Sequence, residues 1–358
     1  MNPAFWRGKR VLVTGHTGFK GGWLTLWLDG MGAKVAGYSL EPPTTPSLFE
    51  TARVREVVRH RIDDVRDLAA LRAAVAEFRP EVVFHLAAQS LVRPSYADPV
   101  GTYATNVLGT VHVLEAVRLE PSARVLMVVT SDKCYENRER SDGFRESDPM
   151  GGTDPYSSSK GCAELVTAAY RASFFDPARH AEPGAAVASV RAGNVIGGGD
   201  WSHDRLVPDV YRAAATKALV RIRNPRAVRP WQHVLEPLNG YLLLAERLWE
   251  DGAGFAEGWN FGSADSDARP VADVMDRIVK LWGEGLRWEH DSGEHPHEAT
   301  LLRLDSTKAR SRLGWRPRMS LDQALEWTVE WYKAYLHGDD VRKLTAAQIA
   351  RYERMERA

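Results

Sequence analysis

The 358-residue sequence has little of several features that would place it in a specialised class of protein. Its only cysteines are Cys134 and Cys162, which cannot form a disulfide framework, so a reducing compartment is expected. Lysine plus arginine number 47 and aspartate plus glutamate also number 47, which gives a formal net charge of +0. This balance gives no indication of nucleic acid or an anionic membrane as a partner.

Long apolar runs are also missing. No run approaches the length of a membrane span, and no apolar signal segment precedes the first strand-like stretch near residue 10. Internal repeats and low-complexity segments are absent as well. We therefore expect a soluble cytoplasmic protein with one large domain, or a large domain and a smaller one.

Short apolar strands alternate with helices over the first half of the chain. The strands are predicted at 10–14, 34–39, 81–86 and 125–130, and the helices between them at 23–32, 67–78 and 103–119. Strands that are apolar throughout are typical of a parallel sheet covered on both faces. The pattern predicts an α/β protein with a Rossmann-type, doubly wound parallel sheet.

The alternation weakens beyond residue 200, where Pro, Arg and Trp become frequent, and helical patterns return near the end of the chain. We predict that residues 1–190 form a dinucleotide-binding domain to which later segments return. Residues 191–340 would mainly form a smaller, mixed α/β substrate lobe, and 341–358 a C-terminal helix.

A glycine-rich turn directly follows the first strand and leads into the first long helix. Its glycines permit a tight turn, close approach of the backbone to a pyrophosphate and close packing of the helix, whose N-terminus attracts phosphate. The predicted dinucleotide-binding residues are Gly15, His16, Thr17, Gly18, Phe19, Lys20 and Gly21. His16 and Lys20 either add positive charge for the phosphates or are simply solvated.

The end of the second strand indicates the cofactor. An acid there hydrogen-bonds the NAD ribose, whereas a basic residue accommodates the NADP phosphate, but Tyr38-Ser39-Leu40 supplies neither. We therefore predict NAD, held weakly. Asp64 and Val65 follow the next segment, either as neighbours of the adenine or as an ordinary helix cap.

A tyrosine and a lysine lie one helical turn apart. Asp154 suits an N-cap and Pro155 a first helical position, so Tyr156 and Lys160 share one face of the helix that follows. An ammonium group beside a phenol favours the phenolate and lowers the pKa of the phenol. Tyr156 is therefore the predicted general base, assisted by Lys160.

Segments spread over nearly the whole chain resemble the extended short-chain dehydrogenase/reductase family and, within it, the nucleotide-sugar 4,6-dehydratases. They are TGHTGFKG (14–21), YSLEPPTTPSLFE (38–50), HLAAQSLVRPSY (85–96), NVLGT (106–110), TSDKCYEN (130–137), DPYSSSK (154–160), VRAGNVIGGGDW (190–201), RPWQHVLEPLNGYL (229–242) and LDSTKARSRLGW (304–315). The segments near 130, 190 and 229 are the most specific, and they match best the branch that acts on CDP-glucose.

The resemblance implies a hydro-lyase that converts a nucleotide-diphospho-glucose, most closely CDP-D-glucose, to its 4-keto-6-deoxy product and water. C4 is oxidised, water leaves from C5 and C6, and hydride returns to C6, so NAD is regenerated in each turnover. Tyr156 would take the proton of the 4-hydroxyl group. This chemistry requires no metal, and the His-rich segment 289–298 matches no metal-binding motif.

The resemblance also assigns roles to the residues that follow the strand at 125–130. Ser131 would hydrogen-bond the 4-oxygen, and Asp132 would protonate the departing 6-hydroxyl group. Lys133 stands where many relatives carry a glutamate that removes the C5 proton. A lysine is a base only when neutral, which burial favours and a charged Asp132 opposes. Whether Lys133 takes the proton or positions the group that does remains open.

Further site residues follow from the resemblance. Those near the cofactor are Leu86, Ala87, Ala88 and Asn106. Those near the substrate are Gln89, Ser90, Arg93, Arg191, Asn194, Trp201, Arg221, Arg229, Trp231 and His297. The arginines suit a diphosphate because their planar forks bind phosphate through two hydrogen bonds. The two tryptophans would flank the nucleotide base or pack in the core.

Two other functions remain open: a nucleotide-sugar epimerase or decarboxylase on the same scaffold, and a non-catalytic NAD-binding regulator. Asp132 and Lys133 disfavour the first, and retention of Tyr156 and Lys160 disfavours the second. The resemblance finally implies that two long helices, over 100–118 and 156–173, pair between subunits in a four-helix bundle. We therefore expect a homodimer or homotetramer.

Overall fold

The computed structural model describes residues 1–137, 142–176, 184–264, 267–283, 285–293 and 302–355. The strands are β1 Arg10–Thr14, β2 Lys34–Ser39, β3 Arg59–Ile62, β4 Val82–His85, β5 Val125–Val129, β6 Ala186–Ala192, β7 Asn194–Ile196, β8 Val220–Ile222, β9 Val228–His233, β10 Gly258–Phe261, β11 Ala268–Pro270 and β12 Trp288–His290.

The α-helices are α1 Pro3–Trp6, α2 Phe19–Gly30, α3 Leu48–Thr51, α4 Leu68–Phe78, α5 Val92–Ala97, α6 Pro99–Tyr103, α7 Gly109–Arg118, α8 Pro155–Phe174, α9 Leu206–Thr216, α10 Leu235–Glu250, α11 Gly252–Phe255, α12 Val271–Trp282, α13 Leu321–His337 and α14 Val341–Glu353. Short 3₁₀ segments cover Val54–Val57 and Asp132–Cys134, and π-helical segments cover Ala104–Leu108 and Ala309–Leu313. No helix among the described residues combines the length and apolar character needed to cross a membrane.

The large sheet has the strand order β10-β6-β5-β4-β1-β2-β3, and all its strands are parallel. The order reverses between β1 and β4, which is the switch point where such sheets bind ligands beyond the carboxyl ends of their strands. The predicted Rossmann-type fold is confirmed. Two small sheets, β11-β9-β7 and β12-β8, lie beside it in the second half of the chain.

Alternate residues of the central strands enter different hydrophobic cores. Val125, Met127 and Val129 of β5 belong to one core, whereas Leu126 and Val128 belong to the other. This follows from the two-residue period of a strand. It explains why a strand with both faces covered is apolar throughout.

Some element boundaries differ from prediction for local reasons. The long helix predicted from residue 103 is divided among α6, a π-helical segment and α7. The last helix begins at Val341, the start predicted for it, where the Asp340 side chain accepts hydrogen bonds from the backbone nitrogens of Arg342 and Lys343, at 3.1 and 3.2 Å. Residues 356–358, at the end of the predicted helix, lie outside the described residues.

Glu236 ties the end of the chain to the core. The buried Oε1 atom of this α10 residue accepts hydrogen bonds from the backbone nitrogens of Arg318, at 2.9 Å, and Met319, at 2.7 Å. Its Oε2 atom accepts one from the Tyr352 hydroxyl of α14, at 2.8 Å. Burial raises the pKa of Glu236 to about 7, although these hydrogen bonds act in the opposite direction.

Replacing Glu236 by Gln should remove a pH-dependent part of the stability. Between pH 4.5 and 7 the folded protein retains a proton on Glu236 that the unfolded chain has lost, so this carboxyl makes the free energy of unfolding fall as pH rises. The loss across this range should reach about 3 kcal/mol. Urea unfolding from pH 4.5 to 8 should therefore show wild type losing stability relative to Glu236→Gln.

The exposed Glu326 of α13 provides a matched control. Glu326→Gln should follow wild type over the whole pH range. If the difference between wild type and Glu236→Gln does not change with pH, the inference that Glu236 is protonated in the folded protein is wrong.

Candidate functional site

The glycine turn between β1 and α2 has no room for side chains. Gly15 has φ of +78°, and a Cβ atom there would lie 2.7 Å from the backbone nitrogen of Ala87. A Cβ atom on Gly21 would lie 2.2 Å from the Gly15 carbonyl oxygen, and one on Gly18 would lie 3.3 Å from the same atom. The turn therefore brings bare backbone and the N-terminus of α2 to the carboxyl edge of the sheet, as a pyrophosphate site requires.

His16 lies inside the turn but is neither a charged phosphate ligand nor solvated, so both sequence-based expectations are wrong. Its side chain is fully buried, and Nε2 lies 2.7 Å from Nδ1 of His60. Burial, and to a lesser degree His60, lowers the pKa of His16 to about 3, which leaves the ring neutral. The ring fits because Gly37 of β2 has no Cβ atom; one would lie 2.3 Å from the ring.

Lys20 is half-buried at the start of α2. Burial lowers the pKa of Lys20 to about 8; Arg205 and Lys160 act in the same direction, and Asp132 acts in the opposite one. Its amino group is thus electrostatically coupled to Arg205, Asp132 and Lys160. The predicted contact of Lys20 with a cofactor phosphate stays a prediction.

The end of β2 carries paired hydroxyl groups instead of an acid. The oxygens of Thr17 and Ser39 lie 2.8 Å apart, and Thr17 can also donate to the Leu40 carbonyl at 2.9 Å. Both side chains are buried. The geometry therefore agrees with the expectation that this position lacks a strong ribose anchor.

The segment after β3 corrects one alternative for Asp64 and Val65. The cap of α4 is Asp67, whose side chain accepts a hydrogen bond from the backbone nitrogen of Ala70 at 2.9 Å. The Asp64 carboxylate instead accepts a hydrogen bond from Nε of Arg66, at 2.8 Å. Val65 is buried in a hydrophobic core. Their place beside an adenine stays a prediction.

The loop after β4 is held by amide side chains. Leu86, Ala87 and Ala88 are half-buried there, and Ser90 is exposed. The buried Asn106 accepts a hydrogen bond from the Gln89 backbone nitrogen and donates to the Gln89 carbonyl, both at 2.9 Å.

The Gln89 side chain donates to the Leu91 carbonyl at 2.9 Å, and Asn106 also donates to the Ser159 hydroxyl at 2.8 Å. Both amides are therefore engaged in shaping the loop that faces the glycine turn.

Tyr156 and Lys160 lie buried near the start of α8, with Asp154 as the N-cap. Burial raises the pKa of Tyr156 to about 12; its hydrogen bond with Ser131 lowers this pKa and the charge of Asp132 raises it. The expected net lowering by Lys160 is therefore wrong, because burial of the phenol outweighs its polar neighbours. Burial likewise lowers the pKa of Lys160 to about 8.

The residues after β5 form a short 3₁₀ turn. The Ser131 hydroxyl donates to Asp132 Oδ1 at 3.0 Å and accepts from the Lys133 backbone nitrogen at 3.2 Å. Asp132 is 4% exposed, and its Oδ2 atom is buried without a hydrogen-bond partner among the described residues. Oδ2 lies 3.4 Å from the place where a Cβ atom of Gly193 would be.

Burial raises the pKa of Asp132, although Lys133, the hydrogen bond from Ser131 and the charges of Lys20 and Arg229 lower it. The carboxyl group therefore retains a proton more readily than an exposed aspartate. Lys133 beside it is half-buried. The carboxyl group of Asp132 and the phenol of Tyr156 are linked through Ser131, which hydrogen-bonds to both.

Two residues predicted near the substrate, Arg191 and Trp201, are engaged inside the protein. Arg191 is 4% exposed, and its Nε and Nη2 atoms donate to the two carboxylate oxygens of Glu164, at 2.9 and 2.7 Å. Trp201 is buried with its ring centroid 4.8 Å from that of Tyr211 and 4.9 Å from that of Tyr335. A buried ion pair therefore replaces the predicted contact of Arg191 with the diphosphate, and Trp201 follows the second of its two predicted alternatives, packing in the core.

The other predicted substrate residues lie at several places. Arg93 pairs with Asp204 at 3.0 Å, and the exposed Arg221 pairs with Glu289 at 3.5 Å. Asn194 is half-buried and faces the buried Trp231 in the register of β7 and β9. Arg229 is close enough to Asp132 to affect its pKa. His297 lies outside the described residues.

Sequence reasoning missed Arg205, which follows the matched segment 190–201. Its Nη1 atom donates to the Asp200 carboxylate at 2.9 Å and its Nη2 atom to the Ser90 hydroxyl at 3.3 Å. Its charge also lowers the pKa of Tyr156 and of Lys20. Arg205 is therefore a cation close to Tyr156 and Lys20, and the irregular segment that carries it offered no periodic pattern. Within the described residues no cluster of His, Cys, Asp and Glu could hold a metal ion.

Residues 12–328 match the family model described as GDP-mannose 4,6 dehydratase. The chain is 55% identical over 348 residues to a curated CDP-glucose 4,6-dehydratase of Salmonella typhimurium (strain LT2), covering 97% of each chain. It is 25% identical to a dTDP-glucose 4,6-dehydratase of Xanthomonas campestris, covering 90% of this chain and 92% of that one. The predicted resemblance to nucleotide-sugar 4,6-dehydratases is confirmed.

Solved structures share the fold at lower identity. The epimerase Mth375 of Methanothermobacter thermautotrophicus has a TM-score of 0.79 at 23% identity, covering 95% of this chain and 96% of that one. The dTDP-glucose 4,6-dehydratase of Bacillus anthracis, solved in complex with NAD, has a TM-score of 0.75 at 22% identity, covering 94% and 100%. At these identities the likeness shows the fold alone.

Gly21→Ala should greatly weaken dinucleotide binding. The new methyl group would lie 2.2 Å from the Gly15 carbonyl oxygen, so the turn must open before the helix can keep its place. Because of this clash, we expect the affinity for NAD, measured by isothermal titration calorimetry, to fall by roughly a hundredfold or more. Each tenfold step corresponds to about 1.4 kcal/mol of binding free energy.

Gly30→Ala is the matched control, because it lies at the other end of α2 and its Cβ atom would meet nothing within 4 Å. It should bind NAD like wild type. Equal binding by Gly21→Ala and Gly30→Ala would show that the turn does not form the cofactor site.

Proposed function

The chain belongs to the family described as GDP-mannose 4,6 dehydratase, and we propose that it is a hydro-lyase that converts CDP-D-glucose to CDP-4-keto-6-deoxy-D-glucose. One observation carries the proposal: the Tyr156–Lys160 pair and the buried acid Asp132 meet at the carboxyl edge of one sheet, joined by Ser131. The choice of CDP-glucose is supported by the 55% identity to a CDP-glucose 4,6-dehydratase.

The site fits NAD, because bare backbone at Gly15, Gly18 and Gly21 leaves space for a pyrophosphate beside the N-terminus of α2. The paired hydroxyl groups of Thr17 and Ser39 support weak binding. NAD held at this site would supply the hydride transfer, from C4 of the sugar and back to C6. The loop after β4 closes the other side of the switch point, where Asn106 holds the backbone of Gln89 in place.

Tyr156 serves as the proton acceptor of the 4-hydroxyl group. With a pKa of about 12, its phenol needs cationic help to lose its proton, and Ser131 and Arg205 both favour the phenolate. Lys160, four residues further along α8, adds this help in its charged form. Ser131 contacts both catalytic pairs and would therefore bind the 4-oxygen.

Asp132 serves as the acid for the departing 6-hydroxyl group. A proton donor must carry its proton when the leaving group departs, and burial of Asp132 favours that form. Its Oδ2 atom, which has no hydrogen-bond partner among the described residues, would bind the oxygen of the leaving group. Lys133, the next residue, is the candidate for removing the C5 proton or for positioning the group that removes it.

The diphosphate of the substrate requires cations. Arg229 lies near Asp132 and Arg205 near Tyr156, and the exposed Arg93 pairs with Asp204. We infer that Arg205 and Arg229 are the main ligands of the diphosphate. Arg191 and Trp201 have no part in this contact, since both are committed to internal packing.

We also propose that the protein is a homodimer or larger and that it is cytoplasmic. The neighbouring α6 and α8 helices and the π-helical segment after α6 expose large apolar side chains, among them Val100 at 78%, Leu108 at 48% and Leu165 at 60%. A second copy of the same face would cover them. The unpaired cysteines Cys134 and Cys162 support a reducing compartment.

The proposed reaction is tested by incubating the purified protein and NAD with CDP-, dTDP-, GDP- and UDP-glucose. We expect a 4-keto product, followed by its absorbance in alkali, with CDP-glucose preferred. Epimerised sugar without loss of water would favour the epimerase alternative, and no turnover of any nucleotide-glucose would refute the dehydratase assignment.

The same reaction in deuterium oxide tests Lys133. A C5 base exchanges the C5 proton with solvent, so Lys133→Met should slow deuterium incorporation at C5 together with product formation. Exchange at the original rate in Lys133→Met would show that another group removes the proton.

The oligomer is tested by Leu165→Asp, which places a charge on the exposed apolar face of α8. We expect sedimentation to show dimer or tetramer for wild type and monomer for the variant. Leu336→Asp, at another exposed apolar residue on α13, is the matched control and should sediment like wild type. A monomeric wild type would contradict the proposed assembly.

A further inference from the structure

A buried ion pair lies behind the catalytic turn. Glu164 follows Tyr156 and Lys160 at intervals of four residues on α8, so the three side chains share one helix face. Arg191, on β6, binds both oxygens of the Glu164 carboxylate, and both side chains are at most 5% exposed. The Ser189 hydroxyl also donates to Glu164 Oε2, at 2.6 Å.

The pair contacts both ends of the turn that carries the elimination residues. At one end, the Thr130 hydroxyl donates to Glu164 Oε1. At the other end, Nη1 of Arg191 donates to the hydroxyl oxygen of Tyr135. Thr130 and Tyr135 enclose residues 131–134, so a single ion pair holds the turn from both sides.

Tyr135 is fixed by further contacts. Its hydroxyl donates to Asn260 Oδ1 of β10 at 2.7 Å, and its ring stacks on Phe144 with centroids 5.0 Å apart. The Arg191 guanidinium lies over the same tyrosine ring, 5.0 Å from its centroid. The turn is thereby connected to β6, β10 and α8 at the same time.

Both members of the pair remain charged. Burial alone would raise the pKa of Glu164, but the charge of Arg191 and the hydrogen bonds from Arg191, Ser189 and Thr130 outweigh it and lower that pKa. Burial alone would lower the pKa of Arg191, and Glu164 reverses that effect. A charged pair in a buried place makes strong, directional hydrogen bonds, which suits it to hold neighbouring groups in position.

We propose that Glu164 and Arg191 are positioning residues that set the place of Asp132 and Lys133 relative to Tyr156 and Lys160. This inference rests on the proposed function, since it concerns the step in which water leaves the sugar. The carboxylate lies on the helix that carries the oxidation pair and holds the turn that carries the elimination pair. The ion pair therefore fixes the elimination residues in position relative to the oxidation residues.

The inference is tested by removing the contacts to the turn and leaving the ion pair intact, because an unpaired buried charge would be strongly destabilising. Thr130→Val and Tyr135→Phe each remove one hydroxyl and keep the shape of the side chain. Ser189→Ala is the matched control, since it removes a hydrogen bond to Glu164 that does not involve the turn.

Two substrates separate the half-reactions. CDP-glucose requires oxidation and elimination, whereas CDP-6-deoxyglucose can only be oxidised at C4, because it has no leaving group at C6. With the deoxy analogue, formation of reduced nicotinamide at 340 nm reports the oxidation step alone. We expect Thr130→Val and Tyr135→Phe to lower kcat for CDP-glucose by roughly tenfold or more, since displacements near 1 Å can cost about a hundredfold.

With the deoxy analogue, oxidation by both variants should fall much less than dehydration, because Tyr156 and Lys160 keep their places and only Ser131 moves with the turn. All reactions of Ser189→Ala should stay within about twofold of wild type. If oxidation and elimination fall equally in Thr130→Val and Tyr135→Phe, or if neither falls, the positioning role is wrong. If wild type itself does not dehydrate CDP-glucose, the proposed function fails, and the positioning role fails with it. Melting temperatures identify any variant that loses its fold. If Thr130→Val does not fold, the result for Tyr135→Phe alone decides whether the positioning role is right.

Discussion

Removal of polar groups from water at the carboxyl edge of the sheet is the constraint on which the site depends. Burial raises the pKa of Asp132 and Tyr156 and lowers that of Lys160. Each shift favours the neutral form of the group, as desolvation requires. At this edge, burial makes the Asp132 carboxyl retain its proton more readily and makes the Tyr156 phenol harder to ionise. Different neighbours oppose burial at the two groups: Lys133 beside Asp132, and Arg205 beside Tyr156.

The central fold was predictable because its strands are short, apolar and bounded by turns. β1 and β2 have the bounds predicted for them. β3 was missed because its sequence, Arg-His-Arg-Ile, belongs to an edge strand with little burial. β10 was missed because pairing with β6, distant in sequence, makes it a strand. Local pattern predicts elements that carry their own period, and distant partners decide the others.

The site shows the same division. Positions fixed by the backbone, such as Gly15 and Gly21, could be predicted because a turn constrains residue type locally. The burial and bonding of His16 and Arg191 could not be predicted, since each depends on a partner far along the chain, His60 and Glu164. For Trp201 the sequence left two alternatives, and its packing against the distant Tyr335 decides between them. The fold itself is shared with an epimerase and therefore does not separate the two reactions; the proposed function depends on residues 131–133 for that distinction.

The His16 ring occupies the space that a side chain on Gly37 would need. The two residues lie in different strands and turns, yet neither can change freely while the other stays. A larger residue at 37 requires the loss of the imidazole, and a smaller residue at 16 leaves a void beside β2. Positions 16 and 37 should therefore vary together among related chains, and a redesign of the cofactor pocket has to treat them as one unit.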